Sequence, residues 1–192
     1  MLEKLIHIDQ ELFLFLNGMH NSFFDFIMYW VSSAALWIPL YVLFIYLLYK
    51  HYPKQWWIYV IMLVVAIGLA DYTSVHLFKN QFHRLRPCHN LELKRMVHIV
   101  SDHCGGRYGF VSSHAANMFA IATYMALSLG KKIKHFSLYL YIWALVIIYS
   151  RIYLGVHFPA DVLAGAVLGS SIALVAFILI RIIAPPQIKT PN

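Results

Sequence analysis

Charge is what this sequence has least of. Only 12% of its 192 residues are Asp, Glu, Lys or Arg, against 61% hydrophobic, and the mean hydropathy is +0.66. That balance excludes a soluble globular domain and makes the chain an integral membrane protein. Repeats, low-complexity stretches and shifts of composition are also missing, so residues 1–192 read as a single domain. The formal net charge of +7 comes without a basic stripe or an aromatic RNA-binding motif, which excludes nucleic acid as a partner. Anionic lipids and phosphates fit scattered loop cations better. Cysteine occurs twice, at Cys88 and Cys104. With His89, His98 and His103 these follow no common zinc spacing, so no metal or other cofactor is expected. A cysteine-phosphatase loop needs His-Cys-x5-Arg after His103-Cys104, and position 110 is Phe110.

What is present is a series of uncharged stretches, 26–49, 55–70, 115–130, 136–150 and 162–180. With polar ends allowed for, they predict an all-α, polytopic membrane bundle of about five spanning helices, each near the ~20 residues a bilayer requires. The expected spans run from about Phe23 to Tyr49, Gln55 to Phe78, Ser112 to Gly130, Phe136 to Ser150 and Pro159 to Ile183. Residues 1–18 carry too many charges to span and lack the cationic start of a signal peptide; they predict an amphipathic helix on the membrane surface. Asn21-Ser22 supplies a cap for the first span. Residues 80–111 form one long loop, of the length that usually carries function, and 185–192 read as a disordered tail.

The apolar pattern is broken where Arg151, His157 and Asp161 follow one another. Pro159 suits the first turn of a helix, which sets His157 beside a helix start and Asp161 in its first turn, within reach of the imidazole. A histidine oriented by a carboxylate is half of a nucleophilic site; the alternative is three interfacial residues at tolerant helix ends. Asp71, inside the second span, reads as a structural contact to a neighbouring helix. Each pair of spans returns the chain to its side, so Lys79, Arg86, Ser112, His114, Arg151, His157 and Asp161 share one face. With Lys79, Arg86 and Arg151 set aside as site residues, seven basic residues lie on the opposite face against five. The positive-inside rule then puts the site and loop 80–111 outside the cytoplasm.

Three segments of that face are Lys79-x6-Arg86-Pro87, Ser112-Ser113-His114 and Ser150-Arg151-x5-His157-x3-Asp161. In order and spacing they resemble the type 2 phosphatidic acid phosphatase family, whose signature is K-x6-RP, PSGH and SR-x5-H-x3-D. The first and third match throughout, while Val111 and Ser113 replace the proline and glycine of the second. The resemblance implies a metal-independent lipid phosphatase. His157 would attack phosphorus and form a phosphohistidine, and Asp161 would hold its ring. His114 would protonate the leaving oxygen and then activate water. Lys79, Arg86, Arg151 and the Ser112–Ser113 segment would hold the phosphate, whose spreading negative charge needs such partners.

The implied partners are the bilayer and a membrane lipid phosphate. Undecaprenyl diphosphate ranks first, ahead of phosphatidylglycerophosphate, phosphatidate and lipid A phosphates, in a bacterial-type inner membrane with the site facing the periplasm. A bundle that only binds or transports lipid phosphates is the non-enzymatic alternative. If the loop is extracytoplasmic, a Cys88–Cys104 disulfide is allowed; in the cytoplasm both would stay free thiols.

Overall fold

The computed structural model describes residues 1–100 and 104–185; His103 and the expected tail from residue 186 onward lie outside them. Helix α1, Leu2–Gly18, is followed by α2, Ser22–Ser32, which Asn21 caps by accepting the Phe24 N–H at 3.0 Å. The first expected span is therefore not one helix. A 3₁₀ turn, Ala34–Trp37, separates α2 from α3, Ile38–His51. Pro39 is the reason: it stands in the first turn of α3, where a missing N–H costs nothing, whereas inside a continuous helix it would break the ladder. At 11 residues, α2 is too short to span.

Helix α4, Trp56–Thr73, runs on through a π-helical stretch, Ser74–Lys79, into the three-residue α5, Asn80–Phe82. Lys79 thus rides on the end of the second span. Then come α6, Ser113–Leu129; α7, Phe136–Tyr153; and α8, Pro159–Ile183. Helix α7 continues three residues past the expected Ser150 and carries Arg151 on its last turn, while α8 begins at Pro159 as expected.

Four segments among the described residues are long and apolar enough to cross a membrane: Ala34–His51, Trp56–Phe82, Phe136–Tyr153 and Pro159–Ile183. Their outward side chains include Val42 and Ile45, Ile61 and Val64, and Leu163 and Val167, all exposed. An apolar exterior of this kind is stable only against lipid. The third expected span, α6, is the central helix and makes its broadest interface with α8. Its buried positions are rich in small residues, Ala115, Ala116, Ala120 and Ala122, facing Gly165, Ala166, Gly169 and Ala173 of α8. Between helices in lipid, close backbone approach replaces the hydrophobic drive that water would supply. Gly169 makes that approach possible, because a Cβ there would run into the Ala116 carbonyl oxygen.

At the cavity end the chain is tied rather than loose. Leu85 bridges to Tyr108, Arg86 N–H donates to the Arg107 carbonyl at 3.2 Å, and Gly109 N–H donates to the Arg84 carbonyl at 2.8 Å. Cys88 and Cys104 are disulfide-bonded, with Cα atoms 6.1 Å apart.

Candidate active site

Four elements deliver the polar residues. The end of the second span brings Lys79, the start of α6 brings Ser113 and His114, the end of α7 brings Arg151, and the turn into α8 brings His157. With Arg86 and Val156, and with Cys104 and Gly105 from the loop, they line one cavity of about 150 Å³. Seven of the eight sequence-derived catalytic and phosphate-binding residues therefore lie at the cavity or, like Asp161, directly behind His157. Ser112 does not line it; its buried hydroxyl accepts the Ala115 N–H at 3.4 Å and caps α6.

The His157 ring is 2% exposed. Its Nδ1 faces Asp161 Oδ2 at 3.5 Å, a long contact. Its Nε2 lies 3.2 Å from Arg86 Nη1. A guanidinium can only donate, so this contact makes Nε2 the acceptor and puts the ring proton on Nδ1, toward the carboxylate. Burial, then the charges of Arg86, Arg151 and Lys79 and the nearby His114, hold the imidazole well below its ordinary pKa. The ring is held neutral, its contact with Asp161 is not an ion pair, and its one ring lone pair, on Nε2, meets Arg86 at the cavity.

Among the described residues, no carboxylate forms an ion pair with Lys79, Arg86 or Arg151. Lys79 Nζ donates to Ser113 Oγ at 2.6 Å, and Ser113 Oγ also meets Ser74 Oγ at 2.6 Å. The hydroxyl that replaces the family's glycine thus steers the lysine. Arg86 Nη1 donates to the Val156 carbonyl at 3.2 Å, and Arg151 Nη1 donates to Ser32 Oγ. The Nε atoms of both arginines are buried without a hydrogen-bond partner among the described residues. Three cations around a small cavity, with donors to spare, have the chemistry to hold a phosphate.

Sequence reasoning missed three contributors. Arg84 bridges Asp161 Oδ1 at 2.7 Å and Asp9 Oδ2 at 2.6 Å. It falls in the unspecified positions of the first motif, and Asp9 is on α1, far away in sequence. Ser32 is reached only because α2 ends there. Gly109 packs on the His157–Asp161 pair, where a Cβ would sit 2.9 Å from Asp161 Oδ2 and 3.3 Å from Arg86 Cγ. Asp71 accepts from Asn117 Nδ2 of α6 at 3.4 Å, a contact between helices. Among the described residues, Cys88, His89 and Cys104 bring their donor atoms together, but the disulfide occupies both sulfurs.

Residues 55–183 match the model of the PAP2 superfamily. Over its whole length the chain is 34% identical to the lipid A 4'-phosphatase of Bacteroides thetaiotaomicron, covering 85% of that protein. It is 29% identical to the undecaprenyl-diphosphatase of Sulfolobus acidocaldarius, over 91% of this chain and 79% of that one. The crystal structure of a transmembrane PAP2-type phosphatidylglycerolphosphate phosphatase from Bacillus subtilis superposes with a TM-score of 0.74, covering 96% of this chain and 90% of that one. At 18% identity that likeness concerns the fold.

Proposed function

The chain belongs to the PAP2 superfamily and is a membrane-embedded lipid phosphatase, and from this premise we propose that it hydrolyses a phosphomonoester on a lipid A-type headgroup through a phosphohistidine at His157. The observation that carries the mechanism is the pairing of a neutral His157, Nε2 lone pair inward, with Lys79, Arg86 and Arg151 around one cavity. The Nε2 lone pair attacks phosphorus and the ester P–O bond breaks. Its electron pair leaves on the sugar oxygen, which takes a proton from His114, whose protonated form the anionic phosphate favours once it offsets the three cations. Asp161 faces the Nδ1–H as positive charge grows on the ring. Water then gives a proton to His114 and attacks phosphorus; the N–P bond breaks, releasing phosphate and neutral His157. The three cations neutralise the oxygens in both steps, so these residues need no metal.

The likeness of the whole chain to a lipid A 4'-phosphatase supports lipid A over undecaprenyl diphosphate, which ranked first from sequence. A second cavity of about 350 Å³ supports a bulky headgroup: it is lined by Tyr29, Ser32, Ser33 and Leu154 and shares Arg151 and Val156 with the phosphate cavity. The site faces the periplasm of an inner membrane, because the opposite face carries seven basic residues against five on the site face once the three site cations are set aside. Helix α1 lies along the surface with Leu5, Ile8, Leu12 and Phe15 exposed to it.

The test is phosphate release by purified protein from lipid A, undecaprenyl diphosphate, phosphatidylglycerophosphate and phosphatidate. Lipid A is expected to give the highest kcat/KM, and His157→Ala to abolish turnover of every member. Faster turnover of undecaprenyl diphosphate would overturn the substrate assignment. An active His157→Ala would overturn the mechanism.

A further inference from the structure

We propose that Arg84 and Asp9 are positioning residues for the His157–Asp161 pair, so that α1 completes the active site from outside the matched segment 55–183. This rests on His157 being the nucleophile. The side chain of Asp161 is fully buried. A lone carboxylate in that position is costly, and a well-placed cation with satisfied oxygens offsets the cost. Oδ2 of Asp161 accepts the Phe158 N–H at 3.0 Å and faces His157. Oδ1 belongs to Arg84, at 2.7 Å. Without Arg84 the carboxylate is free to rotate about its last bond and lose its aim at Nδ1.

Arg84 is itself fixed on three sides. Its second terminal nitrogen bonds Asp9 Oδ2 at 2.6 Å, so one planar fork spans two carboxylates. Its guanidinium lies 4.4 Å from the centre of the Phe158 ring, and that ring packs edge-on against Phe13 of α1 at 5.3 Å. The other oxygen of Asp9 accepts the Ala160 N–H at 2.9 Å. One residue of α1 therefore grips both the arginine and the first turn of the helix that carries Asp161.

The bridge also protects the phosphate site. Asp161 acts electrostatically on Arg86, a second cation that could compete for that carboxylate. By occupying Oδ1, Arg84 leaves Arg86 for the substrate. The chain of charge runs His157, Asp161, Arg84, Asp9, away from the cavity and out to α1.

The experiment is a double-mutant cycle on the full-length protein, with the fastest substrate of the four-lipid panel. Arg84→Lys keeps the charge but cannot span two carboxylates, and Asp9→Asn keeps an acceptor for Ala160 while losing the ion pair. Each is expected to lower kcat about 10–100-fold, the usual cost of removing a group that orients a catalytic one. KM stays within about twofold of wild type, as for an interaction felt only in the transition state. In an Asp161→Asn background neither substitution lowers the residual kcat further, because both act through Asp161. Thermal melting and gel-filtration profiles report folding separately. The inference is overturned if both single variants keep at least half of the wild-type kcat. It is equally overturned if their losses multiply with that of Asp161→Asn, which marks a general structural role. A fully active His157→Ala would instead overturn the reading beneath it.

Discussion

Arg84 and Arg86 stand two positions apart on one segment and put the same guanidinium to opposite uses. Leu85 between them sits in a β-bridge, so the segment is extended and the arginines share a face, about 7 Å apart along it. That spacing suits His157 and Asp161, which lie four positions apart on either side of the start of α8. Arg84 meets two carboxylates; Arg86 forms no ion pair among the described residues and keeps a buried Nε unpartnered. Position on the loop does not separate them; what each one faces does. In this setting a neutralised cation is placed to orient its neighbours, and an unneutralised one is left available to an anion.

The largest effect that would break the comparison is on catalysis. Arg86→Ala is expected to lower kcat/KM by about 10²–10³-fold, the loss typical of a donor aimed at developing charge. Steady-state phosphate release measures it. A loss no greater than that of Arg84→Lys would mean that the two arginines do the same work.

A smaller effect concerns how the segment is held. Cys88 follows Arg86-Pro87 directly, so the Cys88–Cys104 bond limits how far that arginine can move. The double substitution Cys88→Ser and Cys104→Ser is expected to destabilise the fold by up to about 3 kcal/mol on the chain-entropy account. It should also raise KM severalfold while changing kcat little. Melting curves and Michaelis plots check both, and an unchanged KM would detach the disulfide from phosphate binding.

The smallest effect sharpens the comparison most. Burial first and Arg86 next lower the His157 pKa from its ordinary 6.5. The nucleophile must be neutral, so the acid limb of kcat/KM that belongs to it lies below pH 6.5. Removing Arg86 lets the pKa rise, and the limb moves to higher pH in Arg86→Ala. Arg84→Lys retains its charge and leaves the limb in place. Equal shifts in the two variants would show that the ring senses total charge and not which cation faces it.

Much of this was legible in the sequence, for identifiable reasons. Three motifs at helix ends named the cavity residues, and Pro159 marked the start of α8 because its ring fits only a first turn. The break in the first span was less visible, since hydropathy stays high across 26–49; Pro39 is the signal that places it. The short, less apolar α6 reads as a weak span because small residues facing other helices lower its hydropathy. Arg84 and Asp9 were illegible: their pairing joins residues 75 positions apart, and no local pattern encodes a contact made only when α1 folds back over α8. Ser112 looked like a phosphate donor by position, but the first turn of α6 claimed its hydroxyl.

The close seam between α6 and α8 has a consequence for the field inside the protein. Both helices start at the cavity end and run the same way, and the Ser112 N–H donates to the Asp161 carbonyl at 3.0 Å, locking the two starts together. Aligned peptide dipoles leave about half a positive charge at each helix N-terminus. Side by side, two such ends repel, and in a low-dielectric bundle water does little to screen them. The α8 end is already met by the carboxylates of Asp161 and Asp9, so the α6 end, with Ser113 and His114 at the cavity, is the one left to face an anion.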